Sequence, residues 1–498
     1  MTPATWPFWA QSLLAFAAGG IVVLGFAPFS IGLITIISVA LLIRLWRDVQ
    51  TPRQGALLGY AFGLGLMGFG VSWIRISIAQ FGGVHEALAI SITALFVALM
   101  AIYYGLVGWL VVRLRRTPGA AWLLLIVPGI WVLLEWLRGW LFTGFPWLAL
   151  GYSQIDLPLL GFATLLGVYG VTFGIVLTAG LINLWPRLPA ALAVLAIWGG
   201  GALLQTVTWV EPAAAPIRVS LLQGNIPQAQ KWLAEMREAT LSLYQSMTDE
   251  VSDSVIVVWP ETAVPAFDTA VEDSLLRPLD AKLRAQGRDV LLGIVAAGQQ
   301  GAYYNAMLSL GVSGRDSYHK RRLVPFGEYL PLATLLRPIL DFIEIPMSDF
   351  SAGDDSKPLV MLGGQPVGVD ICYEDAYAEE IIRALPEATL LVNASNDAWF
   401  GDSLAPHQHL EIARMRAVET SRFLLRSTNT GISAIIDHQG QLRGTSPQFE
   451  QAILTDEVTP LTGLTPFARW GHRPIIVLSL STVLLGWLMT ANRRKSAS

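Results

Sequence analysis

Cys372 is the only cysteine in the chain of 498 residues. It ends an apolar run in the stretch VGVDICYEDAY, residues 367–377, and acidic residues follow it. A single cysteine excludes an internal disulfide bond, so it is either a packed small apolar side chain or a reactive thiol. An unperturbed thiol has a pKa of about 8.5 and needs a neighbouring base or cation to react at neutral pH.

A glutamate and a lysine occupy comparable positions in the sequence. Glu261 follows an apolar run in VVWPETAVP, and Lys320 lies in HKRRLVPFGEYLP, followed by Glu328. Each residue alone is usually a solvated surface side chain. As a set with Cys372 they suit acyl transfer through a thioester. Glu261 accepts the thiol proton, and Lys320 favours the thiolate and stabilises a tetrahedral oxyanion.

The segment that carries these residues has the pattern of an α/β domain. Within residues 215–460, short apolar runs alternate with amphipathic stretches. The predicted strands are IRVSLLQGN, SVIVVWPET, DVLLGIVAA, YNAMLSLGV, PVGVDICYE, TLLVNASND and GISAIIDHQ. The predicted helices are AEMREATLSLYQSMTDEV and HQHLEIARMRAVETSRFLL. This alternation indicates a layered α/β domain.

The remainder of the chain has the composition of a membrane protein. Hydrophobic residues make up 53% of the sequence. Of 33 basic and 37 acidic residues, only 13 lie within residues 1–207. Such an asymmetry predicts a membrane part joined to a water-facing part. The net charge of -4 argues against a nucleic acid as partner.

Eight apolar segments approach the length of about 20 residues that a transmembrane helix needs. They lie near residues 9–27, 30–46, 55–74, 87–112, 121–141, 159–184, 190–207 and 474–491. We therefore expect a transmembrane domain of about seven helices over 1–207 and a catalytic domain over 208–472. A final transmembrane helix and a short tail are expected over 473–498.

Basic residues set the expected direction of these spans, because cytoplasmic loops carry an excess of Lys and Arg. The gaps on one side hold Arg44, Arg47, Arg53, Arg113, Arg115, Arg116, Arg187, Arg493, Arg494 and Lys495. The short gaps on the other side hold Arg75 and Arg138. Both termini are then cytoplasmic and the catalytic domain is periplasmic. This assignment needs an even number of spans and fails if the weak segment 190–207 does not cross.

Two ionisable residues lie in the fifth predicted span. Glu135 and Arg138, in VLLEWLRGW, are three residues apart and share a helix face. One interpretation is a pair at the membrane interface with little energetic weight. The other is a contact with a lipid head group, since ionisable groups inside a membrane usually serve a function.

One apolar stretch of the water-facing part departs from the strand–helix pattern. It is PLATLLRPILDFIEIPM, residues 331–347. It is either an ordinary core connection or a lid that enters the membrane interface, where Leu335 and Leu336 would contact lipid.

The order Glu261, Lys320 and Cys372, each after an apolar strand, resembles the nitrilase superfamily. That superfamily folds as an α-β-β-α sandwich and uses a Cys-Glu-Lys triad on acyl groups. The chain is more fully similar to the apolipoprotein N-acyltransferases, a bacterial inner-membrane branch. The matching motifs are QGNIPQAQKW, WPETAVP, YYNAM, LVPFGEYLP, CYE, NASNDAWFGDSLAPHQHLEIARMRAVE and, in the membrane half, EWLRGWLFTGFPWLALGYSQ.

The resemblance covers nearly the whole chain and implies a multi-span α-helical membrane domain of about eight helices plus the α/β sandwich, inserted before the last helix. It implies that Cys372 is the nucleophile, Glu261 the base and Lys320 the oxyanion stabiliser. The positions implied to support the site or to lie near it are Glu328, Tyr373, Glu374, Trp232 and Asn305. It implies no role for Asp375.

The resemblance also implies the reaction and its partners. An acyl chain would pass from a membrane phospholipid to the thiol, and then to the N-terminal amine of the diacylglyceryl-cysteine of an apolipoprotein. This would be the last step of bacterial lipoprotein maturation, performed at the inner membrane by a monomer without cofactor or metal. Two alternatives stay open: a membrane-tethered amidase or nitrilase that hydrolyses its acyl-enzyme, and a transporter or scaffold with an inactive nitrilase-like domain.

Overall fold

The computed structural model describes residues 6–329 and 349–495. The apolar stretch 331–347, with Leu335 and Leu336, lies outside these residues. Contacts within the chain divide it into two units. The first comprises the described residues up to Arg75, residues 85–207 and the residues from Trp470 onward. The second comprises residues 76–84 and 208–469.

The first unit is built from helices, and each of the eight predicted membrane segments contains one. The helices of residues 6–207 are α1 (Phe8–Val22), α2 (Gly32–Asp48), α3 (Pro52–Gly70), α4 (Ile74–Ile76), α5 (Glu86–Arg113), α6 (Val127–Arg138), α7 (Ala163–Ile182) and α8 (Leu188–Leu204). The last helix of the chain is α16 (Arg473–Lys495). A π-helical turn, Trp122–Ile126, precedes α6, and a 3-10 turn, Pro158–Phe162, precedes α7.

Four helical segments in the described part of the chain are long and apolar enough to cross a membrane. They are Phe8–Gly25, Glu86–Arg113, Pro158–Ile182 and Arg473–Thr490. A fifth is obtained if α3 and Ile74–Phe81 count as one span despite a bend of 56°. Helix α8 is apolar but shorter. Several membrane-crossing helices are therefore supported, whereas the number of eight spans stays a prediction.

Glycines let the helices of the first unit approach closely. A Cβ on Gly59 in α3 would lie 2.2 Å from the carbonyl oxygen of Tyr104 in α5. A Cβ on Gly65 would lie 2.1 Å from the carbonyl oxygen of Phe16 in α1. Close packing of helices through small residues is the usual solution in lipid, where apolar side chains gain little from leaving the surrounding medium.

The second unit contains two large β-sheets and a short strand pair. Its strands are β1 (Val210–Pro212), β2 (Ile217–Gln223), β3 (Ile256–Val258), β4 (Val264–Phe267), β5 (Asp289–Ala297), β6 (Tyr303–Gly311), β7 (Asp316–His319), β8 (Leu359–Leu362), β9 (Gln365–Ile371), β10 (Leu390–Ser395), β11 (Leu424–Thr428), β12 (Ala434–Ile436), β13 (Leu442–Thr445), β14 (Ala452–Val458) and β15 (Leu461–Gly463). The first sheet has the order β14-β2-β3-β5-β6-β7, with β4 beside β5. The second sheet has the order β13-β12-β11-β10-β9-β8, and β1 pairs with β15.

Parallel strands form the centre of each sheet. Strands β2, β3 and β5 are parallel in the first sheet, and β9, β10 and β11 are parallel in the second. Outer neighbours such as β6, β7 and β8 pair antiparallel. The carboxyl ends of parallel neighbours meet at one edge of a sheet, which brings the residues that follow them together.

Helices cover the outer face of each sheet. The helices of the second unit are α9 (Gln228–Lys231), α10 (Ala234–Glu250), α11 (Asp268–Val271), α12 (Arg277–Gln286), α13 (Ala378–Ile382), α14 (Ala405–Thr420) and α15 (Pro466–Trp470). One buried cluster joins the facing sides of the two sheets, for example Val258 and Val369. Two others pack α10 and α12 on the first sheet and α13 and α14 on the second. The layers are therefore α-β-β-α, as predicted.

Each of the seven predicted strand segments contains a strand, but one predicted helix is wrong at its end. DVLLGIVAA coincides with β5, whereas SVIVVWPET retains only the short strand β3. The helix predicted over 407–425 ends at Thr420, because Ser421 turns the backbone at φ 50° and Leu424 begins β11. The run FLL, residues 423–425, fits a helix or a buried strand equally well. Its pairing with β10 makes it part of a strand.

We expect Gly293→Ala to disturb the turn that carries Glu261. A Cβ on Gly293, in β5, would lie 2.3 Å from both the carbonyl oxygen of Pro260 and the amide nitrogen of Thr262. Overpacking of this kind costs about 1–3 kcal/mol. Thermal unfolding of the variant should show a lower melting temperature, with less active enzyme at equal protein amount.

The matched control is Gly199→Ala in α8, where an added Cβ meets nothing within 4 Å. This variant should melt and react like the unchanged protein. If Gly293→Ala and Gly199→Ala had equal melting temperatures and activities, the prediction would be wrong, and β5 and the Glu261 turn would be able to move apart to admit the added Cβ.

Candidate active site

Cys372 occupies a sharp turn directly after β9. It opens the 3-10 turn Cys372–Ala376 and has φ 54°, a left-handed conformation that is uncommon for a residue with a Cβ. Its side chain is buried, with 7% of the residue exposed. Strained backbone at such a position is stable only when the surroundings fix it, and it is common at functional sites.

Glu374 fixes this turn to the first sheet. Its Oε2 accepts a hydrogen bond from the amide of Ile371 at 2.8 Å, next to the cysteine. Its Oε1 accepts hydrogen bonds from the amides of Arg321 at 2.8 Å and Arg322 at 3.0 Å. Tyr318, in β7, donates its hydroxyl to the same carboxylate at 2.9 Å. Glu374 thus joins the end of β9 to the end of β7, where Lys320 lies.

Lys320 is held between two carboxylates. Its Nζ lies 2.9 Å from Glu328 Oε1 and 3.5 Å from Glu261 Oε1. Asn305, in β6, donates its Nδ2 to the same two oxygens, at 2.7 Å for Glu261 and 3.0 Å for Glu328. The amide of Lys320 also donates to the carbonyl of Asn305 at 2.8 Å. The structure thus brings these four predicted residues into one buried group.

Electrostatics keep Lys320 charged despite its burial, with 1% of the residue exposed. Burial alone would lower the pKa of its ammonium group, but the negative charges of Glu328 and Glu261 outweigh that effect and raise the pKa. A thiolate at Cys372 contributes in the same direction. Lys320 is therefore a permanent cation at neutral pH.

For the thiol of Cys372, in contrast to Lys320, the surroundings favour the uncharged form. Burial raises its pKa well above the ordinary value, and the negative charge of Glu261 raises it further. The cation of Lys320 opposes this rise. The charges of Glu261 and Lys320 therefore act on the pKa of the thiol in opposite directions, and the resting thiol is protonated at neutral pH. The assignment of the three residues as a catalytic triad stays a prediction.

Glu261 has an oxygen available for that proton. Its Oε1 binds Asn305 and Lys320, whereas its Oε2 is buried and has no hydrogen-bond partner among the residues that the structure describes. An unsatisfied buried oxygen on a carboxylate is costly unless a reacting group uses it. Such an oxygen suits a proton acceptor for a thiol nucleophile, and the role of Glu261 as that base stays a prediction.

A second lysine, which the sequence reasoning missed, supports the Glu261 turn. Lys231, at the end of α9, has 2% of its surface exposed and donates its Nζ to the carbonyl of Glu261 at 3.1 Å. Burial lowers its pKa to about 8, although Glu261 acts in the opposite direction. The predicted residue beside it, Trp232, is 41% exposed. The motif QGNIPQAQKW contains both residues, and of the two Lys231 is the one buried against the Glu261 turn, whereas a role for Trp232 stays a prediction.

The other predicted residues have these positions. Tyr373 stacks edge to face with Tyr377 at 5.2 Å, and Tyr377 donates its hydroxyl to that of Tyr373 at 2.8 Å. In the first unit, Glu135 accepts hydrogen bonds from the amide of Leu150 at 3.1 Å and from Thr172 Oγ1 at 2.7 Å.

Arg138, also in the first unit, holds the chain that follows α6. It donates to the carbonyls of Phe145 at 2.7 Å and Trp147 at 2.6 Å. Glu135 is 4% exposed and Arg138 is 1% exposed. Both side chains thus have internal partners, so their burial has a structural reason, and a lipid contact by either residue stays a prediction.

Sequence reasoning also missed a group of buried charged residues behind Cys372. They are Asp375, Asp397, His409 and Arg426. The resemblance implies no role for Asp375, and the other three lie within or near the motif NASNDAWFGDSLAPHQHLEIARMRAVE. The available signal was a charged or amide residue inside an apolar run, such as Asn393 in LLVNAS and Arg426 in LLRST.

Comparison with known proteins defines the class of each part. Residues 218–466 match the carbon-nitrogen hydrolase family, and residues 18–181 match the apolipoprotein N-acyltransferase N-terminal domain. The sandwich with its buried cysteine, lysine and glutamates is thus a nitrilase-like domain, joined to a membrane domain of one particular family.

Full-length relatives identify that family. An apolipoprotein N-acyltransferase of Methylococcus capsulatus is 46% identical over 98% of this chain and 97% of the relative. Those of Nitrosomonas europaea and Photobacterium profundum are 43% and 39% identical, each over 97% of this chain and 98% and 95% of the relative. The chain belongs to the apolipoprotein N-acyltransferase family. It is a membrane-bound acyltransferase of lipoprotein maturation.

The charges around Cys372 predict opposite pH shifts for two variants. Alkylation of the thiol by iodoacetamide, followed by intact mass spectrometry, reports the thiolate fraction at each pH. Lys320→Met removes the cation that favours the thiolate, so its profile should move to higher pH. Glu261→Gln removes a negative charge, so its profile should move to lower pH, although acyl transfer should slow because the base is lost.

Lys357→Met is the control, because Lys357 is an exposed lysine paired with Glu387. Its profile should coincide with that of the unchanged protein. Shifts of Lys320→Met and Glu261→Gln in the same direction would contradict the assigned charges.

Proposed function

We propose that the protein transfers a fatty acyl chain from a membrane phospholipid to the N-terminal amine of a diacylglyceryl apolipoprotein through a thioester on Cys372. One observation carries this mechanism. The protonated thiol lies in the field of a buried cation, Lys320, and of a carboxylate, Glu261, that has an oxygen without a partner among the described residues. These groups all come from one chain, which supports action as a monomer.

In the first half-reaction, the sulfur attacks the ester carbonyl carbon of the phospholipid while Glu261 takes the thiol proton. The oxyanion that forms is stabilised by Lys320, whose charge is already in place. When the carbon–oxygen bond of the ester breaks, Glu261 gives its proton to the leaving oxygen of the lysophospholipid. The acyl chain remains on Cys372 as a thioester.

In the second half-reaction, the neutral N-terminal amine of the apolipoprotein attacks the thioester carbon. Glu261 accepts a proton from the attacking nitrogen, and Lys320 stabilises the second oxyanion. The carbon–sulfur bond breaks as the carbon–nitrogen bond forms, and the proton returns to the sulfur. An α-amine has a pKa of about 8, so a useful fraction is neutral at physiological pH.

The membrane helices fit these substrates. Both carry acyl chains, and exposing such a chain to water costs about 0.8 kcal/mol per CH₂ group. A reaction at the bilayer surface avoids that cost. A site that excludes water also favours attack by the amine over hydrolysis of the thioester.

The distribution of basic residues supports an orientation in the inner membrane. Ten basic residues lie in or beside the gaps on one side, and only Arg75 and Arg138 lie in or beside the short gaps on the other. We therefore propose cytoplasmic termini and a periplasmic catalytic domain, with the spans of residues 1–207 and 473–498 as predicted.

Intact mass spectrometry of the purified full chain with phospholipid tests the covalent step. The unchanged protein should gain the mass of one acyl chain. Cys372→Ser and Lys320→Ala should remain folded and gain none, the first because the nucleophile is absent and the second because the oxyanion is unsupported. Lys357→Met, the surface control, should be acylated normally.

The second substrate separates the proposal from its alternatives. Addition of a diacylglyceryl peptide should convert the acyl-enzyme to free enzyme and N-acylated peptide. Free fatty acid as the main product would instead indicate a membrane-tethered amidase. If Cys372→Ser still supports lipoprotein maturation in cells that lack the enzyme, a scaffold role would replace catalysis.

A further inference from the structure

A closed ring of four buried side chains lies directly behind the turn of the nucleophile. His409 Nδ1 lies 2.9 Å from Asp397 Oδ1, and His409 Nε2 lies 3.0 Å from Asp375 Oδ1. Arg426 donates to Asp397 Oδ2 at 2.8 Å and to Asp375 Oδ2 at 3.3 Å. The four residues come from the turn after β9, the loop after β10, α14 and β11. Each is at most 2% exposed.

The ring is electrically balanced if the imidazole is protonated. Two carboxylates then face two cations, whereas a neutral imidazole would leave one buried negative charge without compensation. Burial and the charge of Arg426 lower the pKa of His409, but Asp375 and Asp397 outweigh them and raise it to about 9. Burial would raise the pKa of Asp397, but Arg426 and His409 outweigh it and lower it far below the ordinary value.

The ring contacts the backbone of Cys372 directly and is linked to its side chain through Ser395. His409 Nε2 lies 3.3 Å from the carbonyl oxygen of Cys372, which also accepts a hydrogen bond from Asn393 Nδ2 at 3.1 Å. Ser395 donates its hydroxyl to Asp397 Oδ1 at 2.8 Å and also hydrogen-bonds the cysteine side chain. The charge of Asp397 therefore raises the pKa of the thiol. The contact of His409 with the carbonyl of Cys372 helps to hold the strained turn.

We propose that His409 is a positioning residue for the acyl transfer: its imidazolium neutralises Asp375 and Asp397 behind the nucleophile and holds the carbonyl of Cys372. The inference rests on the proposed function in that it takes Cys372 as the nucleophile. His409 contacts no reacting atom in this scheme. It keeps an uncompensated carboxylate from opposing thiolate formation, and it provides one of the two side-chain contacts to the carbonyl of the turn.

The test compares three variants of the full chain in detergent. His409→Gln removes the charge and retains an amide that can hydrogen-bond. His409→Gln/Asp397→Asn removes one negative charge together with the positive one. His407→Gln is the matched control, because His407 is half-buried on the same helix and outside the ring.

Three measurements are made on each variant. They are the melting temperature, the pH profile of alkylation of Cys372 by iodoacetamide, and the rate of acyl-enzyme formation from phospholipid by intact mass. The charged groups that face the thiol are Glu261, Lys320 and Asp397. Those that face the imidazole are Asp375, Asp397 and Arg426. A further buried carboxyl group, Asp370, interacts with Asp375 and Arg426, and burial and the charge of Asp375 raise its pKa well above the ordinary value. All but Asp397 are unchanged in the variants.

We expect the alkylation profile of His409→Gln to move to higher pH by about one unit. Without the imidazolium, one carboxylate of the ring keeps an uncompensated negative charge, which disfavours the nearby thiolate. At fixed pH its acyl-enzyme should form about tenfold more slowly, because one pKa unit changes the thiolate fraction tenfold. The double variant should move the profile back, and His407→Gln should not move it. A role confined to folding would change the melting temperature and leave the profile in place.

The outcomes separate this inference from the proposed function. If the unchanged protein gains no acyl chain, the proposed function fails. If it is acylated and His409→Gln has an unshifted profile, or the double variant does not move back, the role of His409 is overturned and the function stands.

A measurement without substitution covers the case in which His409→Gln does not fold. The chain has six histidines. In nitrogen-15 spectra of histidine-labelled protein at pH 8, one of them should retain protons on both ring nitrogens. Spectra in which all are neutral at that pH would overturn the imidazolium ring.

Discussion

The burial of Lys320 as a cation is the constraint on which the rest of the site depends. A charged ammonium group can be removed from water only if opposite charges and hydrogen bonds replace the solvent. Glu328 and Glu261 supply the charges, and Asn305 joins the two carboxylates by donating to both. The consequence is a cation whose position is fixed before a substrate arrives, which is the arrangement that stabilises an oxyanion most effectively.

The three residues predicted as a catalytic triad are divided between two sheets, so the proposed mechanism requires that these sheets face each other. Glu261 and Lys320 follow strands of the first sheet, and Cys372 follows a strand of the second. Apolar packing between the sheets sets their separation, but it does not fix a single turn. Glu374 fixes the turn of Cys372 from one side, because it accepts hydrogen bonds from amides at the ends of both β9 and β7. The His409 ring contacts the same turn from the other elements of the second sheet.

The sequence singles out Glu261 and Cys372 because each follows an apolar run, a local pattern that needs no knowledge of strand order. The expectation that Lys320 also follows an apolar strand is wrong, because β7 reads DSYH, so Lys320 is recognisable only from its motif. The joint catalytic role of the three residues stays a prediction. The sequence also predicted the layers, since strand–helix alternation and burial on both faces are local properties. The ring was not predicted, because His409 meets Asp375 only after α14 packs against the second sheet, a contact over 34 residues. The end of α14 was missed for a related reason. The apolar residues that follow Thr420 fit a helix as well as a strand, and only their pairing with β10 makes them the start of β11.

In the proposed mechanism one carboxylate serves both half-reactions, and the electrostatics around the sulfur give a physical reason for this. Burial and the negative charge of Glu261 raise the pKa of the thiol, and the ring behind it is neutral if His409 is protonated, as proposed. The thiol therefore rests in its protonated form at neutral pH, and in the proposed mechanism the thiolate forms as Glu261 takes the proton. The same carboxyl group can then protonate the leaving oxygen and later accept the proton of the amine. A permanently ionised thiolate would need no such base, but it would also leave the group that departs without a proton donor.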